Sequence, residues 1–209
     1  MPAVARAVGL GVAGVLLLAG CGGEESDGTG EGAGAGASDS PGPTATAAAD
    51  RPVIEMPSDL SYRFDWPRTG EADKDAVLAD SERSIKAVDL AIVHQDAFDE
   101  AYRYYYEGEA AAGTQKFVQN YVDHKAGITG AYRFYDPEVA VAKDGTASLS
   151  YCEDQGKAYV EYLTTGKVRK TKVTAKSYVS YRTELSKNAK GVWVISRITS
   201  EIGSAACQP

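Results

Sequence analysis

The hydrophobic pattern of this chain changes its period near Thr129, and that change limits the fold class. Apolar residues recur at helical spacing over residues 73–95 and again over 109–126. From Thr129 onward apolar and polar residues alternate, as in half-buried strands, and Asp144-Gly145 and Thr165-Gly166 are typical of hairpin turns. Helices followed by a strand meander predict an α+β domain, with N-terminal helices packed on one face of a curved antiparallel β-sheet.

The first 58 residues predict two segments outside that domain. The apolar run Val8–Leu18 is too short for a membrane-spanning helix, which needs roughly 20 residues, and is typical of a targeting signal. Residues 22–50 contain only Gly, Ala, Ser, Thr, Pro and acids, a composition that buries too little surface to fold. The predicted organisation is a signal peptide at 1–20, Cys21 with a flexible linker at 21–58, and the folded domain at 59–209.

The four residues Leu18-Ala19-Gly20-Cys21 resemble the bacterial lipobox, in which an aliphatic residue and two small residues precede a cysteine. The resemblance implies cleavage after Gly20 and acylation of Cys21 with diacylglycerol and palmitate, so that membrane lipid is a partner. Two or more acyl chains anchor a protein firmly, so we expect a cell-membrane protein on the extracytoplasmic face. The alternative is an ordinary signal peptide followed by a chance cysteine. The whole chain also resembles small actinobacterial lipoproteins of unassigned role.

The two remaining cysteines, Cys152 and Cys207, form an even pair in a chain expected to be exported. Because export leads to an oxidising compartment, we predict a disulfide bond between them. It would close a loop of about 56 residues. The alternative is two free thiols.

The charge distribution excludes one class of partner. The chain carries a net charge of −7, but residues 51–209 hold 21 basic and 23 acidic side chains and are nearly neutral. A nucleic-acid-binding protein would be clearly basic, so no nucleic acid is expected. The segment 157–176 is nonetheless rich in lysine, including Lys170 and Lys172. It is either a solvated hairpin or a contact for anionic headgroups, wall polymer or an acidic partner.

Several aromatic residues are candidates for a pocket or an interaction surface. The cluster at 102–106 and the aromatic strand residues are compatible either with an ordinary core or with the wall of a pocket for a flat or sugar-like ligand. The candidates are Tyr102, Tyr105, Tyr132, Phe134 and Trp193.

The order of elements and four short stretches resemble the nuclear transport factor two-like (SnoaL-like) family, which has a cone-shaped fold. The stretches are Tyr132-Arg133-Phe134-Tyr135-Asp136-Pro137, Tyr151-Cys152-Glu153-Asp154, Thr165-Gly166-Lys167 and Gly191-Val192-Trp193-Val194-Ile195. The resemblance implies a cone whose interior, in enzymes of the family, carries acidic, histidine or tyrosine side chains. It gives no fixed signature from which a catalytic residue could be assigned.

The sequence contains no nucleophile elbow, zinc-protease motif or phosphate-binding loop. His94 and His124 fall near predicted helix ends, and neither a metal site nor a cofactor is expected from them. We therefore predict a non-catalytic ligand-binding or protein-interaction module, with a protein partner or a homodimer through the sheet as a further expectation. The alternative is an extracytoplasmic enzyme that uses an acidic or tyrosine side chain in the cone. The acids that could face a pocket are Asp136, Glu153, Asp154, Glu184 and Glu201.

Overall fold

The computed structural model describes residues 51–209. The predicted signal peptide, Cys21 and most of the predicted linker therefore lie outside the described residues. The helices, which precede all but one of the strands, are α1 (Ala72–His94), α2 (Glu100–Arg103) and α3 (Gly108–Asp123). None of the helices in the described part of the chain combines the length and apolar character needed to cross a bilayer.

In the described part of the chain six strands form one sheet, and the α+β class predicted from the sequence is confirmed. The strands are β1 (Leu60–Phe64), β2 (Ala126–Val141), β3 (Thr146–Tyr162), β4 (Lys167–Arg169), β5 (Tyr178–Lys187) and β6 (Trp193–Ile202). Their order is β1-β2-β3-β5-β6, with β4 paired to β3. All pairs are antiparallel except β1 and β2, which run parallel.

Bulges interrupt the ladder at three places and bend the sheet around the helices. The register shifts between Ala131 and Arg133 of β2, where the extra residue is on β3, and between Tyr135 and Glu138, where it is on β2. The third shift lies between Glu184 and Leu185 of β5, with the extra residue, Ser196, on β6. An extra residue bends its strand and increases the local twist. The strand β3 spans both hairpins, so the two hairpins predicted from the sequence share one continuous 17-residue strand.

The core lies between the inner face of the sheet and the helices. Its largest fully buried side chains include Trp193, Tyr102, Tyr105, Phe134 and Ile92. Burial of this apolar and aromatic surface is the main source of stability, at about 25 cal/mol per Å².

The segment 51–58 differs from the flexible linker predicted there. Ile54 and Met56 pack against the core, and the Arg51 guanidinium forms an ion pair with the buried Asp80 carboxylate of α1. Apolar contacts and the ion pair with Asp80 therefore hold residues 51–58 against the domain. We call residues 51–58 the N-terminal strap.

The disulfide predicted between Cys152 and Cys207 is present, with 5.4 Å between the two Cα atoms. It attaches the short 3-10 helix Ala205–Cys207 to β3. The Tyr135 hydroxyl also donates a hydrogen bond to the Cys207 carbonyl oxygen, so the tail is held to β2 as well. The tail therefore covers part of the outer face of the sheet.

Candidate functional site

A cavity of about 690 Å³ opens between the bent sheet and the helices α1 and α3. This volume is within the range of small-molecule pockets, about 300–1,000 Å³. Its walls are largely aromatic and aliphatic, and the aromatic members are Tyr106, Phe117, Tyr121, Tyr132, Phe134, Tyr151, Tyr159 and Tyr181.

Two carboxylic acids, Asp89 and Glu153, line the inner end of this cavity. Asp89 projects from α1, where it lies four residues after Ile85 and three before Ile92, on the helix face that meets the sheet. Glu153 projects from β3 and is only 5% exposed. A helix and a strand thus bring two acids, 64 positions apart in the sequence, into one enclosure.

Burial raises the pKa of both acids. Asp89 reaches a pKa of about 7, because burial disfavours its charge and Glu153 adds repulsion, although a 2.8 Å hydrogen bond from the Tyr62 hydroxyl opposes the shift. Glu153 also reaches a pKa of about 7 by burial, opposed by hydrogen bonds from Gln155, at 2.8 Å, and from Tyr181. Near neutral pH each group can therefore either donate or accept a proton.

The tyrosines around the two acids remain protonated over the physiological range. Burial raises the pKa of Tyr106 to about 12 and those of Tyr132, Tyr151 and Tyr181 above their usual value. The rings also stack in pairs, with centroids 5.1 Å apart for Tyr151 and Tyr181. The cavity therefore offers rigid aromatic walls and neutral hydroxyl groups that can donate or accept hydrogen bonds.

The exposed members of the cavity lining mark its mouth. They are Gly113 and Phe117 of α3, Thr199 and Ser200 of β6, and residues of the segment 169–176. Phe117 is 49% exposed and packs edge to face against Tyr121, with ring centroids 5.3 Å apart.

Three of the residues predicted from the sequence line this cavity, namely Tyr132, Phe134 and Lys172. Lys170 does not line it, but its ammonium lies 6.0 Å from the centre of the Tyr159 ring, which does. The predicted contact residues are thus brought to the cavity from β2 and from the segment after β4.

Tyr102, Tyr105 and Trp193 are core residues rather than pocket residues, which corrects the prediction for them. Each is at most 1% exposed. The Tyr102 hydroxyl is used within the fold, donating a 2.6 Å hydrogen bond to the Ala97 carbonyl oxygen. Trp193 is held by its backbone N–H, which donates to Asp80 at 2.9 Å. Their aromatic surface contributes to packing because the helices cover this end of the sheet.

The two histidines lie at helix ends, outside the cavity lining. The His94 ring lies 2.7 Å from an Asp99 carboxylate oxygen, and the His124 ring lies 2.7 Å from the Asn120 carbonyl oxygen. Among residues 51–209 no group of three or more His, Cys, Asp or Glu side chains is arranged to hold a metal ion.

A second depression, of about 840 Å³, lies between the N-terminal strap and α1. Its walls carry charged side chains of both signs, among them Asp75, Glu82, Arg83 and Lys86. This depression is larger than the sheet cavity. Within the described residues, however, its lining contains no acid as buried as Glu153. We therefore take the sheet cavity as the candidate site.

Sequence reasoning identified Glu153 as an acid that could face a pocket but missed Asp89. A signal was present, because Asp89 interrupts the apolar stripe of α1 between Ile85 and Ile92. An acid on the buried face of an amphipathic helix is costly unless it is partnered or functional. Tyr62 was missed as well, since its role depends on the parallel pairing of β1 with β2.

No protein-family model matches the sequence, and no curated protein matches it. Solved structures similar to the chain include a ketosteroid isomerase-like protein from Erwinia carotovora atroseptica, at 15% identity and a TM-score of 0.43, covering 64% of this chain and 98% of that one. Aln2 from a Streptomyces species is 14% identical, with a TM-score of 0.42 and coverages of 60% and 90%. ActVI-ORFA from Streptomyces coelicolor is 10% identical, with a TM-score of 0.39 and coverages of 61% and 94%. At these values the function has to be argued from the residues of the chain itself.

Proposed function

We propose that this protein is a membrane-anchored extracytoplasmic lipoprotein whose domain binds a small organic molecule in the sheet cavity. The single observation that carries the binding function is the cavity itself, about 690 Å³ enclosed by aromatic walls with two acids at its inner end. Concave, mostly apolar sites with a few convergent polar groups are the usual form of small-molecule sites. The ligand is expected to have an apolar, partly flat body and at least one hydrogen-bonding group.

The anchoring part of the proposal is supported by sequence features and by one feature of the fold. The lipobox-like residues Leu18 to Cys21 and the linker composition after them favour a lipid anchor. The disulfide between Cys152 and Cys207 is compatible with an oxidising compartment. Binding to a protein partner or to a second copy through the sheet stays a prediction.

The binding function is tested with the neutral fluorescent probe N-phenyl-1-naphthylamine. The full chain carrying Cys21→Ser, which cannot be acylated, is titrated without detergent. We expect saturable fluorescence enhancement that Ala158→Phe abolishes, because Ala158 lines the cavity and a phenyl ring would occupy it. The matched control is Ala140→Phe, which adds the same ring at an exposed position of β2. Equal fluorescence enhancement in the Cys21→Ser chain and in its Ala158→Phe and Ala140→Phe variants would overturn the proposal.

A second candidate function, proton transfer on a bound substrate, is favoured by the pair Asp89 and Glu153. Both face the cavity, and both have a pKa of about 7, which suits a general acid or base near neutral pH. The test is solvent deuterium exchange at carbon atoms next to the carbonyl group in a panel of apolar ketones. Exchange should be lost in Asp89→Asn and in Glu153→Gln but retained in Asp144→Asn, which alters an exposed hairpin residue. No exchange above the buffer rate would exclude this function for that class of substrate.

A further inference from the structure

Three basic side chains line the mouth of the sheet cavity. Arg169 ends β4, Lys172 lies in the segment after it, and Lys176 lies in the 3-10 helix Ala175–Ser177. All three side chains are exposed and line the cavity. Within residues 51–209 none of them forms an ion pair with a carboxylate. Their positive charge is therefore available to a ligand at the entrance.

The remainder of the mouth carries no opposing charge. Its other exposed members are all neutral: Gly113, Phe117, Thr171, Thr174, Thr199 and Ser200. Within the described residues, the only acids of the cavity lining are Asp89, which is half-buried, and Glu153, which is buried. The cavity thus combines an exposed cationic mouth with an interior of aromatic side chains and two carboxyl groups.

We infer that the ligand of this cavity is an anionic amphiphile, whose charged group lies against Arg169, Lys172 and Lys176 while its apolar body lies among the aromatic side chains. The inference rests on the proposed binding function and names the class of ligand. An anion stays at the mouth, because moving it inward would strip its hydration and bring it to two carboxyl groups. A cationic amphiphile is repelled where it must enter, and a neutral one gains nothing from the three cations.

The test compares three amphiphiles that share one alkyl chain. Dodecanoate, 1-dodecanol and dodecylamine are used below their aggregation limits to displace N-phenyl-1-naphthylamine from the Cys21→Ser chain at low salt. We expect dodecanoate to displace the probe at a concentration about tenfold lower than dodecanol, the combined effect of three exposed charge contacts. We expect dodecylamine to be weaker than dodecanol. The advantage of dodecanoate should shrink as salt is added, because the contacts are exposed to solvent.

The variant Arg169→Gln/Lys172→Gln/Lys176→Gln should lose the preference for dodecanoate and keep its affinity for dodecanol. The matched control is Lys143→Gln/Lys157→Gln/Lys167→Gln, which removes the same charge from exposed positions outside the cavity lining and should keep the preference. Comparison of the two variants separates a local contact from an effect of net charge.

The outcomes separate this inference from the proposed function on which it rests. Failure of N-phenyl-1-naphthylamine to bind overturns the proposed function itself. Probe binding with equal displacement by dodecanoate and dodecanol overturns only the inference, as would tighter binding of dodecylamine. The inference is also overturned if the mouth variant keeps its dodecanoate preference but loses binding to phosphatidylglycerol vesicles, because the three cations would then serve a membrane surface.

Discussion

The Tyr62 hydroxyl donates a 2.8 Å hydrogen bond to Oδ2 of Asp89, which links β1 to the C-terminal part of α1 beside the cavity. Tyr62 reaches this position because β1 runs parallel to β2, with Tyr62 beside Tyr132 in register and the two rings stacked 5.7 Å apart. The bond lowers the pKa of Asp89 relative to what burial alone would give. A strand next to the strap therefore contributes to the protonation behaviour of the candidate site.

The two cavity acids should make the protein less stable as the pH rises. Their pKa values rise from ordinary values of 3.8 and 4.5 in the unfolded chain to about 7 in the folded state. The folded state thus binds more protons than the unfolded chain. The contribution of the two acids to the free energy of unfolding is therefore fully present below the unfolded pKa values and is lost as the pH rises through 7. Since one pKa unit corresponds to about 1.4 kcal/mol, the complete loss for each acid is roughly 3–4 kcal/mol. Urea unfolding between about pH 5 and about pH 8 measures it.

The double variant Asp89→Asn/Glu153→Gln should flatten that pH dependence and be the more stable protein at the alkaline end. The control Asp144→Asn should leave the slope unchanged, because hydrogen bonds from Thr146 lower the pKa of this exposed acid and place its titration at a lower pH. A double variant with the slope of the parent would contradict the assignment.

Replacing Asp80 should be strongly destabilising. Its carboxylate is 1% exposed, pairs with Arg51 and accepts a 2.9 Å hydrogen bond from the Trp193 backbone N–H. Asp80→Ala leaves both partners without their acceptor, and the expected loss is roughly 3–5 kcal/mol in the free energy of unfolding. The control is Asp73→Ala on the same helix, whose ion pair with Lys187 is exposed and should contribute less than about 1 kcal/mol. Similar losses for the two variants would refute this role of Asp80.

Replacing Gly130 with alanine should lower the free energy of unfolding, whereas replacing Gly113 with alanine should raise it. Gly130 in β2 has a φ of +103°, and a Cβ atom there would collide with the Lys157 carbonyl oxygen. We expect Gly130→Ala to cost about 3 kcal/mol or more, because backbone strain and a clash with the main chain add together. Gly113 lies within α3 with open space around it, so Gly113→Ala should stabilise the protein by about 0.5–1 kcal/mol. Thermal unfolding of both variants checks the pair.

Reduction of the disulfide should lower the free energy of unfolding by about 4 kcal/mol, the chain-entropy value for a loop of this length. Urea unfolding with and without reductant measures the difference. The variant Cys152→Ser/Cys207→Ser should unfold at the same urea concentration in both conditions and serves as the control. Detection of two free thiols in the unreduced protein would contradict the bond.

The lipid anchor is predicted to depend on one thiol. In cells supplied with labelled palmitate, the parent chain should incorporate label and sediment with membranes. Cys21→Ser should lose both properties, because no other acylation site is predicted at the lipobox-like motif. Membrane association that persists unchanged in this variant, without label, would refute the anchor.

The sequence predicted the fold class and the hairpin turns because both depend on local patterns. Helix α1 was expected over 73–95 and is observed over Ala72–His94. Helix α3 ends earlier than expected, since Lys125 adopts a φ of +46° and β2 begins at Ala126. The prediction that the helix ends at residue 126 was wrong because Lys125 adopts the left-handed conformation that glycine usually adopts at the end of a helix.

The candidate site was less predictable than the fold. The wall of a cavity is built from residues of several helices and strands. Its polar residues interrupt the hydrophobic periodicity from which those helices and strands are predicted. Glu153 lies on a predicted strand and was one of five acids expected to be able to face a pocket. Asp89 lies within an apolar helical stripe, and Tyr62 lies on a strand whose partner is distant in the sequence. Their proximity is a property of the tertiary structure alone.

The N-terminal strap has a mechanical consequence. Any pull exerted on the chain ahead of residue 51 enters the domain first at Arg51, whose guanidinium is paired with Asp80 on the longest helix. In the proposed lipoprotein, a force transmitted through the lipid anchor would therefore act on the Arg51–Asp80 ion pair before it acts on the hydrogen bonds of β1.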